Sequence, residues 1–212
     1  MTGKSKSITV LGRQMTFFNQ RCRDWTHPYE WNGEGNLADS GCGIFSLCHA
    51  AQWLTGVEQS PETWADFACE KGGRGDDGTD RPALLHALMV HGEAEKLSFR
   101  YEEDGLRNDL DTLFDHLYYE RGVAFCNLRA GHIVCLVAGR IQNGEKQLLA
   151  IDSYSESASE KVRDSVREVI PGTEIVWQAQ NRAGLVVGES TSYGAFWVSA
   201  DQPRDFNLLH KI

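Results

Sequence analysis

Residues 40–56 read SGCGIFSLCHAAQWLTG. The first four form a turn. Beyond them Ile44, Leu47, Cys48, Ala51 and Leu54 recur at i, i+3 and i+4 spacing, the stripe of an amphipathic helix over 42–54, and Gly56 supplies a stop. Cys42 therefore stands at the mouth of a helix, between Gly41 and Gly43. The first N–H groups of a helix have no intrahelical acceptor, and its dipole favours negative charge there. Both effects lower a thiol pKa. The flanking glycines let the backbone turn sharply and let another segment approach closely. A cysteine in this setting is either a nucleophile or a small residue in a tight turn, and only the rest of the chain decides between them.

Working outward, residues 8–18 (ITVLGRQMTFF) read as a strand or hairpin arm, and 19–41 as a long packed loop carrying Trp25, Tyr29 and Trp31. A second helix is expected from Pro61 to about position 71, with Ser60 as its N-cap. The glycine-rich GGRGDDGTD is a loop, followed by a third helix over 82–91 and a fourth over 108–120. The period then changes. GVAFCNL, HIVCLVAGR and KQLLAIDSY are short apolar runs separated by turn signals, among them Asn143-Gly144, so they read as consecutive antiparallel strands. Charged residues 156–168 are expected to be helical, and EIVWQAQ, GLVVGE and GAFWVS to be further strands. Helices first and a sheet afterwards describe an α+β fold, N-terminal helices packed on a C-terminal antiparallel sheet, in one domain over 1–212.

Composition narrows the function. The 212-residue chain carries 21 Lys+Arg against 30 Asp+Glu, a net charge of −9. Such a surface repels phosphate backbones and anionic lipid, so neither nucleic acid nor membrane is an expected partner. The N-terminal MTGKSKSITVLGRQ has lysines but no apolar run after them, which points to a cytoplasmic protein and leaves export without a signal open. Cys48, Cys126 and Cys135 lie in apolar stretches and no CxxC pair occurs, so the six cysteines are expected to be reduced thiols. His86 and His91 stand five apart rather than the four of a zinc helix, and Asp76, Asp77 and Asp80 lack the spacing of a calcium loop. No metal or cofactor is expected. Trp53 and Trp64 should be core, while Trp25, Trp31, Trp177 and Trp197 are candidates for lining a cleft. SYSESASEK, at 153–161, reads as a flap beside Asp152, in which Ser155 and Ser157 have no claim as nucleophiles.

Two residues give Cys42 a chemical context. His132 opens the second of the three strands, on the rim of the sheet, where it can face a helix mouth and act as base and then acid. Asp152 ends the next strand. Antiparallel neighbours joined by one turn bring the start of the first beside the end of the second, so Asp152 can hold the imidazole by its other nitrogen.

These residues resemble the papain-like cysteine peptidases of the bacterial bacteriocin-leader (double-glycine) type and their soluble single-domain relatives. The resemblance is carried by FFNQRCRDW, then SGCGIFSLCHAAQWLTG, then GHIVCLVAG and LLAID, with GDDGTD similar to the family's Asp-Gly-Thr segment. It covers roughly residues 17–92 and 122–153 and leaves the last fifty or so unmatched. It implies a papain-like fold with Cys42 as nucleophile, His132 as base and Asp152 as orienting carboxylate. It further implies an amide donor to the oxyanion, mapped onto Gln20, with Asn36 as the alternative because it stands six residues before the cysteine. Ile44-Phe45 replaces the small or proline residues common after Cys-Gly and is expected to narrow the pocket. The implied activity is hydrolysis of a peptide or related amide bond in a peptide or protein substrate. Acyl or peptidyl transfer on the same fold, and an inactive binding module, are the alternatives, and oligomeric state is left open.

Overall fold

The computed structural model describes residues 3–101, 106–129, 131–154, 163–180 and 185–212, with the side chains of 163, 176–180, 186–187 and 189–190 left undescribed. The chain opens with a hairpin, β1 (Ser5–Val10) and β2 (Arg13–Phe18). Residues 19–41 are more regular than a loop. They form a second hairpin, β3 (Pro28–Trp31) and β4 (Glu34–Asn36), and a single turn α1 (Leu37–Ser40). The overlooked signal was Asn32-Gly33, both at positive φ, the turn pair that closes a tight hairpin.

The helix α2 (Cys42–Thr55) follows, capped by Gly56 in the left-handed conformation. Next are α3 (Pro61–Lys71), with Ser60 accepting from the Thr63 N–H, and the two-residue strands β5 (Arg74–Gly75) and β6 (Gly78–Thr79). Asp80 caps α4 (Arg81–Val90) through the Ala83 N–H. Then come α5 (Glu93–Lys96), β7 (Phe99–Tyr101) and α6 (Leu110–Tyr118), the last capped by Asp109. The second half holds β8 (Val123–Leu128), β9 (His132–Gln142), β10 (Glu145–Ile151), β11 (Val166–Val169), β12 (Glu174–Gln180), β13 (Val186–Tyr193), β14 (Ala195–Ser199) and β15 (Pro203–Lys211).

Seven of these strands form one antiparallel sheet in the order β11-β14-β10-β9-β8-β15-β7, while β12 and β13 pair as a separate hairpin. The architecture is thus a mixed one of helices on an antiparallel sheet. Several elements depart from expectation, among them α5 and the paired β5 and β6 in the GGRGDDGTD stretch that reads as a loop. The segment 163–169 is a short 3-10 turn and a strand where a helix was expected, and residues 155–162 of that stretch, including Ser155, Ser157 and most of the expected flap, lie outside the described residues. The strands β7 and β15 were not foreseen. Both are short on alternation: β15 is PRDFNLLHK, whose two faces are both largely covered once it is inserted between β8 and β7.

The sheet buries side chains on both faces. Against one face lies α2, whose residues from Gly43 to Leu54 are all buried, in a core shared with Val123, Phe125, Cys135, Leu149 and Ile151. Against the other lies α6, packing Leu113, Phe114 and Leu117 on Ala124, Cys126, Val134, Leu136 and Leu148. Ile44 and Phe45 belong to the first core and are wholly buried, so they do not narrow a pocket. Trp53 and Trp64 are core as expected. Trp25 and Trp197 are also buried, Trp25 edge-on to Phe45 and Trp197 beneath the Arg140 guanidinium, so neither lines a cleft. Trp31 is exposed, and the Trp177 ring is outside the described side chains. No cysteine is in a disulfide. Among the described residues, no helix is long and apolar enough to cross a membrane.

Truncation of Phe125, fully buried under α2, should cost about 3–5 kcal/mol. Loss of the α3 cap in Ser60→Ala should cost only about 1 kcal/mol. Urea unfolding midpoints of the two variants check this ordering, and equal losses would contradict it.

Candidate functional site

The site assembles where α2 begins. Cys42 is its first residue, so its N–H has no acceptor within the helix. A Cβ placed on Gly43 would lie 2.4 Å from both Cβ and Oγ1 of Thr79. Glycine is required there because β6, within the GDDGTD segment, runs directly against the helix mouth. The Thr79 hydroxyl in turn hydrogen bonds the Tyr29 hydroxyl at 2.7 Å. Tyr29 is fully buried and its phenol pKa is raised, first by burial and also by the nearby Cys42.

His132 is the first residue of β9, following Gly131, whose φ of +76° gives the turn that starts the strand. In the register of β9 with β10, Cys135 faces Ile151, so Asp152 emerges close to the start of β9. The expected juxtaposition is present: His132 Nε2 lies 2.5 Å from Asp152 Oδ1. With Nε2 so engaged, Nδ1 is the nitrogen left to act on Cys42, whose thiol pKa His132 lowers. Helix and strand are pinned beside this pair by the buried Ser46 hydroxyl, which donates to the Ile133 carbonyl at 3.1 Å.

Asp152 is fully buried. Its Oδ1 also accepts the Tyr154 N–H at 2.8 Å, and its own N–H donates to Gly194 O at 2.8 Å. One backbone N–H and the imidazole thus hold the carboxylate through Oδ1, while the residue's own backbone is fixed to Gly194. The Tyr154 ring is tilted against His132, centroids 5.8 Å apart, and the Arg21 guanidinium lies over the Tyr154 ring and donates to its hydroxyl. Neither Tyr154 nor Arg21 was singled out in the sequence. The only signal available was their adjacency to Asp152 and Gln20 in the chain.

Gln20 is brought to the same place, across an intervening hairpin and α1. Its N–H donates to Ser153 O at 2.9 Å, its Oε1 accepts from Ser153 Oγ at 3.2 Å, and its Nε2 donates to Ala38 O at 3.2 Å. A primary amide has two N–H donors, so one remains after the Ala38 bond. Asn36 is occupied differently: its side chain caps α1 through the Asp39 N–H. His49, one helical face further along α2, accepts the Phe18 N–H at 3.1 Å and stacks on Phe17 and Phe18. Burial pushes its pKa down to about 3, so it stays a neutral acceptor and ties the strand leading to Gln20 onto the helix that starts at Cys42.

The six thiols separate cleanly. Burial raises the pKa of Cys22, Cys48, Cys69, Cys126 and Cys135. Burial acts upward on Cys42 too, but the hydrogen bond and charge of His132, with the N–H groups of Ile133 and Gly43, outweigh it and the net shift is downward. For His132, desolvation acts downward, and the charge and hydrogen bond of Asp152 together with Cys42 overcome it, raising the imidazole to about 10. The pair thus favours thiolate and imidazolium, and titrates as one unit.

The site so defined is a cysteine at a helix mouth whose thiol pKa is lowered by a histidine, which a buried aspartate holds by hydrogen bond. Compared with family models, with curated proteins and with solved structures, the chain shows no match.

The paired shifts set a pH window. The thiolate is lost as pH falls through the lowered Cys42 value, and the imidazolium is lost as pH rises through about 10. The lowered thiol value stabilises the fold above the unfolded thiol pKa of about 9, and that contribution fades as pH falls; the raised imidazole value stabilises it below about 6.5, and that contribution is lost by about 10. Iodoacetamide should therefore reach its full rate with Cys42 at a lower pH than with an ordinary thiol. Asp152→Asn should move the onset toward pH 9, and peptide mapping of the label against pH reads both. In Gly43→Ala, the clash with Thr79 should displace the helix mouth and slow the labelling at pH 7 by at least tenfold, while an unchanged rate would remove Thr79 from the site's framework.

Proposed function

We propose that the protein is a papain-like thiol hydrolase that cleaves a peptide or related amide bond. The observation that carries this reading is the contrast among the thiols: Cys42 alone has its pKa lowered, and the group that lowers it is a histidine held by a buried aspartate. A turn residue has no use for either partner.

The steps follow from the geometry. The Cys42 thiolate adds to the substrate carbonyl carbon, and the C=O electron pair moves onto oxygen. The Cys42 N–H, unpaired within its helix, and the remaining N–H of Gln20 are the donors assigned to that oxyanion. Nδ1 of the His132 imidazolium gives its proton to the leaving nitrogen as the C–N bond breaks, leaving an acyl-thioester on Cys42 and a free amine. A water molecule, deprotonated by the now neutral imidazole, adds to the thioester. Collapse of that adduct breaks the C–S bond, releases the carboxylic acid and leaves Cys42 as thiolate beside the imidazolium that took the water's proton. Asp152 holds the imidazole with Nδ1 toward sulfur and stabilises the imidazolium, and the Tyr154 N–H keeps the carboxylate from rotating away. Tyr154 packs against His132, with Arg21 stacked on its ring, and shields the His132–Asp152 bond from water on that side.

The test is a library of peptides incubated with the wild type, Cys42→Ala and His132→Ala, with products identified by mass. Cleavage should appear with the wild type and fall by at least a thousandfold in either variant, and the acyl-enzyme should be seen as a mass increment on Cys42 after acid quench. Cleavage that survives in Cys42→Ala would remove the thiol from the reaction. Gln20→Ala should lower kcat by about 10–1000-fold with little change in KM, as expected for an oxyanion donor.

A further inference from the structure

On the opposite face of the sheet from Cys42, α6 ends against β15 and the start of β8. Three side chains converge there: His116 in α6, Glu120 four residues later, and His210 on β15. His116 is almost completely buried. Its Nε2 lies 3.1 Å from Val123 O and 3.2 Å from Leu209 O. Both partners are carbonyls, which only accept, so Nε2 carries the proton and the tautomer is set by the backbone. Nδ1 then faces outward, 2.9 Å from Glu120 Oε2. His210 Nδ1 is 3.8 Å from the same carboxylate oxygen, and the two imidazole rings meet edge to face, centroids 4.7 Å apart.

A carboxylate oxygen aimed at an imidazole lone pair is repulsive unless a cation sits between them. Either a proton or a metal ion meets that need. The three ligand atoms lie within 4.8 Å of one another. A tetrahedral ion with bonds of about 2.1 Å spaces its ligand atoms about 3.4 Å apart, between the two distances measured to Glu120. The second nitrogen of His116 is already held by carbonyls, the arrangement that orients metal-binding histidines. Gly122 leaves the room this requires: a Cβ on it would lie 2.0 Å from His116 Nε2.

We infer that His116, Glu120 and His210 bind a divalent first-row transition ion, with Zn²⁺ as the best match to two imidazoles and one carboxylate. The ion links the end of α6 to β15, and through the Val123 carbonyl to β8. Three protein ligands leave a fourth position for water. The site is independent of the reading of Cys42, because it lies beyond the sheet and uses none of the same residues. Sequence spacing had excluded His86 and His91, which stand five apart and are both exposed, whereas Glu120 stands four residues after His116, two residues past the end of α6.

Binding is measured by titration calorimetry with ZnCl2, in a Cys42→Ala, Cys69→Ser background that removes the two thiols with solvent access. One equivalent of Zn²⁺ should bind and raise the melting temperature. His210→Gln and Glu120→Gln, both at partly exposed positions, should each weaken binding by at least tenfold and abolish the thermal shift while leaving the metal-free melting temperature within a few degrees. Co²⁺ should give a visible ligand-field spectrum without a thiolate charge-transfer band, and lose it in either variant. Absence of binding, or one equivalent that persists unchanged in both variants, would overturn the site and assign the cluster to a shared proton.

Discussion

The burial of α2 on every side is the constraint on which the rest depends. A helix with no solvent face cannot slide or rotate without opening a cavity, and interior packing tolerates little of that. Its register against the sheet is set by one buried bond, Ser46 to the Ile133 carbonyl, made one turn from Cys42 and one residue from His132. The two reacting groups are therefore neighbours of a shared anchor. Around the helix mouth, Thr79 presses on Gly43 from one side and the Gln20 segment is held from the other by Ser153 and His49.

The electrostatics of the site come from the same packing. In a largely apolar surrounding each ionisable group is driven toward its neutral form, as five of the thiols and His49 are. Cys42 and His132 escape this only because each is the other's counterion and Asp152 is close enough to hold the imidazolium. Asp152 itself is affordable in the interior because backbone N–H and imidazole N–H both reach one of its oxygens.

Much of this was legible in the chain. The boundaries of α2 and α3, the Asn143-Gly144 turn and the pairing of β9 with β10 rest on local signals: a periodic stripe, a cap, a turn dipeptide. The closeness of His132 to Asp152 followed from one hairpin. What could not be read depended on distant partners. The strand β15 carries charged and polar residues, and it is a strand because β8 and β7 flank it. Trp25 looked available for a cleft until Phe45 and Phe18 covered it. Gln20 could be proposed but not located, since twenty-odd residues of hairpin and turn separate it from Cys42. Tyr154, beside His132, and Arg21, over the Tyr154 ring, are brought together from positions 133 residues apart.

The place of β15 has a consequence for how the molecule is made. Residues 203–211 fill the sheet between β8 and β7, strands that precede them by tens of residues. Until they emerge from the ribosome, β8 presents an open edge and β7 has no neighbour in the sheet. Both cores lie against that incomplete surface, so neither α2 nor α6 can reach its final packing while the strand is absent. Assembly is governed by contacts of long sequence separation, which slows folding and leaves an apolar edge exposed for part of the nascent chain's life. Selection for solubility therefore acts on this protein before the site around Cys42 exists.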